Sequence, residues 1–134
     1  MATETTGMPV TRIFTGDDGE SHFADLVVPM QLTDRGFMSA PIELGGATLF
    51  RATPPGGDID YHTAPRRQFV LHLQGEVEIE CGDGTRRRFG PGDVLLADDT
   101  TGRGHVSRDV QTPRRQIFVP VSADVDVTLW EVGR

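Results

Sequence analysis

An all-β fold is what this sequence predicts, and three observations predict it. Val, Ile, Leu and Phe arrive in short bursts between turn clusters, and 16 glycines and 9 prolines punctuate a chain of 134 residues. Residues 76–81 alternate strictly, Glu76, Glu78 and Glu80 against Val77, Ile79 and Cys81, which is the period of a half-buried antiparallel strand. No stretch shows helical periodicity over the length of an ordinary helix. About eight short strands at near-regular spacing fit a sandwich or a double-sheet jelly-roll barrel, and do not fit a crossover α/β fold.

The elements can be taken in order. Residues 1–9 hold almost nothing apolar to bury and read as a flexible leader, and 10–134 read as one barrel domain. Residues 10–15 form a short strand closed by Gly16-Asp17-Asp18-Gly19. Residues 21–31 contain Pro29, whose missing N–H confines that strand to an edge or a bulge. In 46–53 the alternation puts Leu49 and Arg51 on one face, Phe50 and Ala52 on the other. Residues 67–73 are the central strand, after which Gly75 is expected to open the next hairpin. Gly82-Asp83-Gly84-Thr85 is the strongest hairpin signal, and 86–89 return from it. Gly90-Pro91-Gly92-Asp93 turns into the apolar strand 94–97, and a polar loop, 98–104, leads to His105. Residues 116–121 and 125–130 supply two last strands.

A net charge of −7 argues against a nucleic-acid binder, which needs a basic face. No apolar run approaches the roughly 20 residues that span a bilayer. The first fifteen residues lack the basic and apolar regions of a secretion signal, and the single cysteine, Cys81, cannot form an internal disulfide. The expectation is a soluble cytoplasmic protein with Cys81 as a small core hydrophobe.

The chemistry lies with the histidines. His62 follows a Pro/Gly-rich turn and His105 ends a second turn-rich loop, so two distant segments can bring imidazoles into one site. This plan resembles the cupin family, whose small members are single jelly-roll barrels. In the family's first motif, G-x5-H-x-H-x3-E-x6-G, Gly57 lies near the start, His62 takes the first histidine, Ala64 the second, Gln68 the glutamate and Gly75 the last glycine. In the second, G-x5-P-x-G-x2-H-x3-N, Gly92 opens the motif, Asp98 stands at the proline, Gly102 is the later glycine, His105 the histidine and Asp109 the asparagine, with two extra residues before Gly102.

The resemblance implies a site at His62, Gln68 and His105. Because Ala64 and Gln68 replace two of the family's ligands, it implies either no cofactor or a single divalent ion (iron, nickel, manganese or zinc) on those three residues. It also implies a homodimer, joined through outer sheet faces and exchanged N-terminal strands.

Strand period extends the pattern. With Gln68 inward like the glutamate it replaces, Val70, His72 and Gln74 also point in, while Phe69, Leu71 and Leu73 face a second layer or a partner subunit. Such a polar lining is either a hydrogen-bonded core with trapped water or a cavity for a polar small molecule. The expected acid–base set is His62, His72 and His105, and the expected substrate contacts are Arg51, Tyr61, Gln68 and Asp98. Asp98 and Asp99 are turn formers, or one of them orients His105. His22, outside both motifs, reads as structural, and the Arg66-Arg67 and 86–88 arginine runs as solvated faces or partners for the Glu76, Glu78 and Glu80 row. Three functions follow. One is proton transfer on a small molecule by an isomerase, cyclase or dehydratase, another is a metal-dependent oxygenase, and the last is ligand binding without catalysis.

Overall fold

The computed structural model describes residues 7–132. Its strands are β1 (Gly7–Thr15), β2 (Ser21–Pro29), β3 (Gln31–Thr33), β4 (Gly36–Met38), β5 (Leu49–Thr53), β6 (Ile59–His62), β7 (Gln68–Cys81), β8 (Arg86–Phe89), β9 (Val94–Asp98) and β10 (His105–Pro120). The all-β expectation is met, and the described residues contain no α-helix. Among the described residues no helix is long and apolar enough to cross a membrane.

Residues 7–9 already pair with 27–29, so the first strand starts earlier than the sequence suggests. Of the expected leader, residues 1–6 lie outside the described residues.

One sheet runs in the order β2-β1-β9-β7-β10-β5, with β8 on β7 and β6 on β10. The β1–β9 pair is parallel and the other pairs are antiparallel, so the sheet is mixed. Its end strands, β2 and β5, do not pair with each other, and the hydrogen-bonded order does not close into a barrel. Pro29 sits in β2, an edge strand, where its missing donor costs no ladder bond. The separate β3–β4 hairpin is exposed throughout.

The organising unit is the long β7–β10 ribbon. The first half of β7 takes β9 as its second neighbour and the second half takes β8. Likewise β10 pairs β6 near His105 and β5 from Arg114 to Phe118.

Gly75 does not open a hairpin; it lies within β7 at φ 79°, where the β7–β10 register shifts. A Cβ at that position would meet the Pro113 carbonyl oxygen at 2.5 Å and that of Gln111 at 2.6 Å, so only glycine lets the strands approach here. The bulge also changes the phase of the strand. Gln68, Val70 and His72 face the cavity before it, Val77 and Ile79 after it, and Gln74 is exposed.

Two apolar clusters lie on opposite faces of the sheet. The inner one joins Ile13, Val70, Val77, Ile79, Leu95 and Phe89 among others. The outer one packs Val10, Leu26, Leu96 and Phe69 against Val121 and Val127. Phe69 therefore meets the chain's own C-terminal segment. That segment is not the expected last strand: 127–130 form a 3-10 turn, begun where Asp126 accepts from the Thr128 N–H, with Val127 fully buried as its anchor. Burying one such side chain contributes about 1.5–3 kcal/mol, enough to hold a single turn in place.

Beyond the bulge, the outward face of β7 carries Glu78 and Glu80 against Arg86, Arg88 and Arg108, as the arginine-rich return strand suggests. Arg87 pairs with Asp25 instead.

Candidate functional site

The curved sheet surrounds a cavity of about 520 Å³, open on one side, whose lining includes Arg51, His62, Arg66, Gln68, His72 and His105. Cross-strand register makes its chemical centre, since His62 at the end of β6 stands opposite His105 at the start of β10. Their ring centroids are 4.4 Å apart, with the planes inclined at 57°. Gly104 permits the approach. At φ 80° its Cα faces the His62 backbone, and a Cβ there would collide with the His62 carbonyl oxygen.

His105 is buried and its Nδ1 lies 2.5 Å from Asp99 Oδ2. Asp99 is itself 0% exposed, and its Oδ1 has no hydrogen-bond partner among the described residues. Among the described residues His105 is thus the one side chain paired with that buried carboxylate. The bond places the proton on Nδ1 and leaves the Nε2 lone pair free.

His62 is oriented the same way, Nδ1–H donating to the Asp60 carbonyl at 2.8 Å, and so is His72, donating to the Asp93 carbonyl at 3.0 Å. No hydrogen bond occupies Nε2 of any of the three among the described residues. Loss of hydration, reinforced by nearby positive charge on Arg51, lowers the pKa of both His62 and His72, which keeps them neutral near pH 7. His72 sits elsewhere on the lining, opposite Gln116 in the ladder and stacked on Phe89 at 5.6 Å.

Among the expected substrate contacts, Arg51 and Gln68 line the cavity and two others do not. Asp98 is turned away. It accepts from Arg12 at 2.8 Å and 3.0 Å and ion-pairs with Arg67 at 3.3 Å. Tyr61 lies under the Arg103 guanidinium, 3.9 Å from its ring centroid. Arg103 belongs to the loop that carries Gly104. Arg66, Arg114 and Gln116 also line the cavity, and no local sequence pattern marks them. The two motif frames meet at Asp109, which accepts from the Gly57 N–H at 2.8 Å and from Arg114 Nε at 2.9 Å.

As a metal site the arrangement is incomplete. Among the described residues no three His, Cys, Asp or Glu side chains converge, and Gln68 Oε1 already accepts from Arg66 Nε at 2.9 Å. Two imidazoles remain, short of the three or four protein ligands usual for zinc.

No family model matches this chain, and no curated protein is significantly similar to it in sequence. Among solved structures it is similar to one from Ralstonia eutropha JMP134 described as "a putative mannose-6-phosphate isomerase", at 17% identity over 86% of each chain and a TM-score of 0.33. At that level the likeness carries neither a substrate nor a site to this chain.

Proposed function

We propose that this chain is a cupin-type enzyme that moves protons on a polar small molecule held in the cavity, as an isomerase, cyclase or dehydratase does. The observation that carries the reading is the buried Asp99–His105 pair in ring contact with His62. His62, kept neutral by its surroundings, presents Nε2 as a base for a C–H or O–H proton of the ligand. Asp99 holds the His105 tautomer and offsets the charge of the imidazolium formed when Nε2 takes over the proton that His62 removed, which leaves His62 neutral again; His105 then returns that proton to a second ligand atom. In the reverse direction the roles exchange. The glycine frame, with His62 and His105 at the motif positions of a sheet curved around a cavity, supports the cupin assignment.

The test is proton exchange. Hydroxy acids, keto acids and sugar derivatives are incubated with the protein in D2O, and loss of C–H signals is followed by NMR. Catalysed exchange that drops by about 10²–10⁴-fold in both His62→Gln and His105→Gln supports the proposal. A ligand that binds without exchange, with both variants altering affinity alone, would instead mark a binding module. Elemental analysis of untagged protein separates the metal reading. An equivalent of iron, nickel, manganese or zinc that is lost in His62→Ala and His105→Ala would replace the metal-free mechanism with a metal-dependent one.

A further inference from the structure

The chain has no lysine, so each of its 13 basic side chains is an arginine. Several are neutralised by carboxylates. Arg12 and Arg67 share Asp98, the exposed Arg103 pairs with Glu20, and Arg114, which is buried and reaches the cavity, pairs with Asp109. Arg66, half-buried, and Arg51, at the exposed end of the lining, are different. Neither has a carboxylate within ion-pair distance among the described residues, and both line the cavity.

Each is instead oriented by a neutral amide. Arg51 donates from Nε and Nη2 to Gln116 Oε1 at 3.2 Å and 3.0 Å, and Arg66 donates from Nε to Gln68 Oε1. Gln68 and Gln116 are both buried. Arg66 Nη2 has neither solvent contact nor a hydrogen-bond partner among the described residues, although a guanidinium has five N–H groups to satisfy.

The ladder spaces the two supporting amides. Gln68 lies opposite Pro120, Val70 opposite Phe118, and His72 opposite Gln116. Gln68 and Gln116 therefore stand on either side of the Val70–Phe118 step of one wall, and Arg51 also covers the Phe118 ring at 4.8 Å. Two fixed cations without counter-ions, held flat by buried amides, form a receptor for planar or tetrahedral oxyanions.

We infer that the cavity takes a small organic anion, with a carboxylate or phosphate group held by Arg51 and Arg66 and its neutral end facing His62 and His105. The inference rests on the reading of this cavity as the substrate site. It narrows the substrate to hydroxy acids, keto acids or phosphate esters. It also gives Gln68 a role other than metal ligand, that of setting the plane of the Arg66 fork.

The experiment is a ¹H–¹⁵N chemical-shift titration with inorganic phosphate, with malonate and with glycerol as a neutral probe. It uses the full chain and the Arg51→Gln, Arg66→Gln and Arg115→Gln variants. Arg115 is exposed and does not line the cavity. The expected result is saturable movement of cavity resonances by phosphate or malonate, weakened about tenfold or more by either cavity variant and unchanged by Arg115→Gln. Which anion binds decides between phosphate and carboxylate. No response to either anion, an equal response to glycerol, or an equal loss in Arg115→Gln overturns the inference. Should Arg66→Gln fail to fold, Arg51→Gln decides alone, since Arg51 stands at the open side of the cavity. Anion binding with the expected losses but no proton exchange on any ligand refutes the proton-transfer reading and leaves the anion site standing. Exchange on a neutral compound without anion binding does the reverse.

Discussion

Two histidines among the described residues sit within hydrogen-bond distance of an aspartate carboxylate, and they serve opposite ends. His22 uses both ring nitrogens, Nδ1 on Asp83 and Nε2 on Asp18, each at 3.0 Å. It clips the turn after β1 to the hairpin after β7 and has no nitrogen left over. His105 uses only Nδ1, on a carboxylate with no access to solvent, and its second nitrogen is spare. Proximity to a carboxylate therefore does not by itself distinguish a structural imidazole from a reactive one. The free nitrogen and the buried counter-charge do.

The largest expected effect tests that distinction directly. Asp99→Asn, which removes the charge and loosens the tautomer, should lower catalysed proton exchange by about 10²–10⁴-fold and change its pH profile. Asp83→Asn should leave the exchange rate within about twofold and cost about 1 kcal/mol of stability, the value of an ordinary hydrogen bond. Equal effects at the two sites would abolish the distinction.

Backbone substitutions come next. Gly104→Ala places a methyl against the His62 carbonyl in a positive-φ conformation and is expected to destabilise by about 3 kcal/mol or more in urea unfolding. In the His22 hairpin, Gly84 also has positive φ but nothing within 4 Å of its Cβ, so Gly84→Ala should cost only the conformational 1–2 kcal/mol or so.

The smallest effect is in titration. The hydrogen bond to Asp18 raises the His22 pKa above 6.5, whereas lost hydration brings His62 below it. The stability due to the His22 bridges is then fully present below pH 6.5 and is lost as pH rises through the folded-state pKa. The His62 contribution is intact above pH 6.5 and declines as pH falls through its lower folded value. Imidazole NMR titration should give midpoints in that order, with His62 in the Nδ1–H tautomer. The opposite order would contradict the assigned environments.

The sequence shows the strand plan well where one face is buried. Alternation over 76–81 and the inward set Gln68, Val70 and His72 are both found in the structure. It fails where phase changes hands. Gln74 is lost from the lining because the Gly75 bulge resets the count, a shift set by close approach of the neighbouring strand rather than by local pattern.

Asp98 and Asp99 show the same limit at the end of β9. Asp98 is the last strand residue and pairs with Arg12 and Arg67 across 86 and 31 positions of chain. Asp99, one residue further, reaches His105. Neighbouring acids look alike in sequence, and only the strand end gives them different directions. Arg51 is expected in the lining, but Arg66 escapes notice for a related reason. Arg66 and Arg67 are adjacent, yet one lines the cavity and the other binds Asp98 and the Ser122 and Val125 carbonyls.

The break at Gly75 has a further bearing on how such a chamber can diversify. Because strand phase is counted afresh after residue 75, the two halves of β7 work as separate cassettes, one bearing Gln68 and His72, the other Val77 and Ile79. Substitutions in either cassette remodel a different part of the interior without disturbing the alignment of the other. New specificity can then be drafted at the guanidinium wall while the hydrocarbon wall stays as it is.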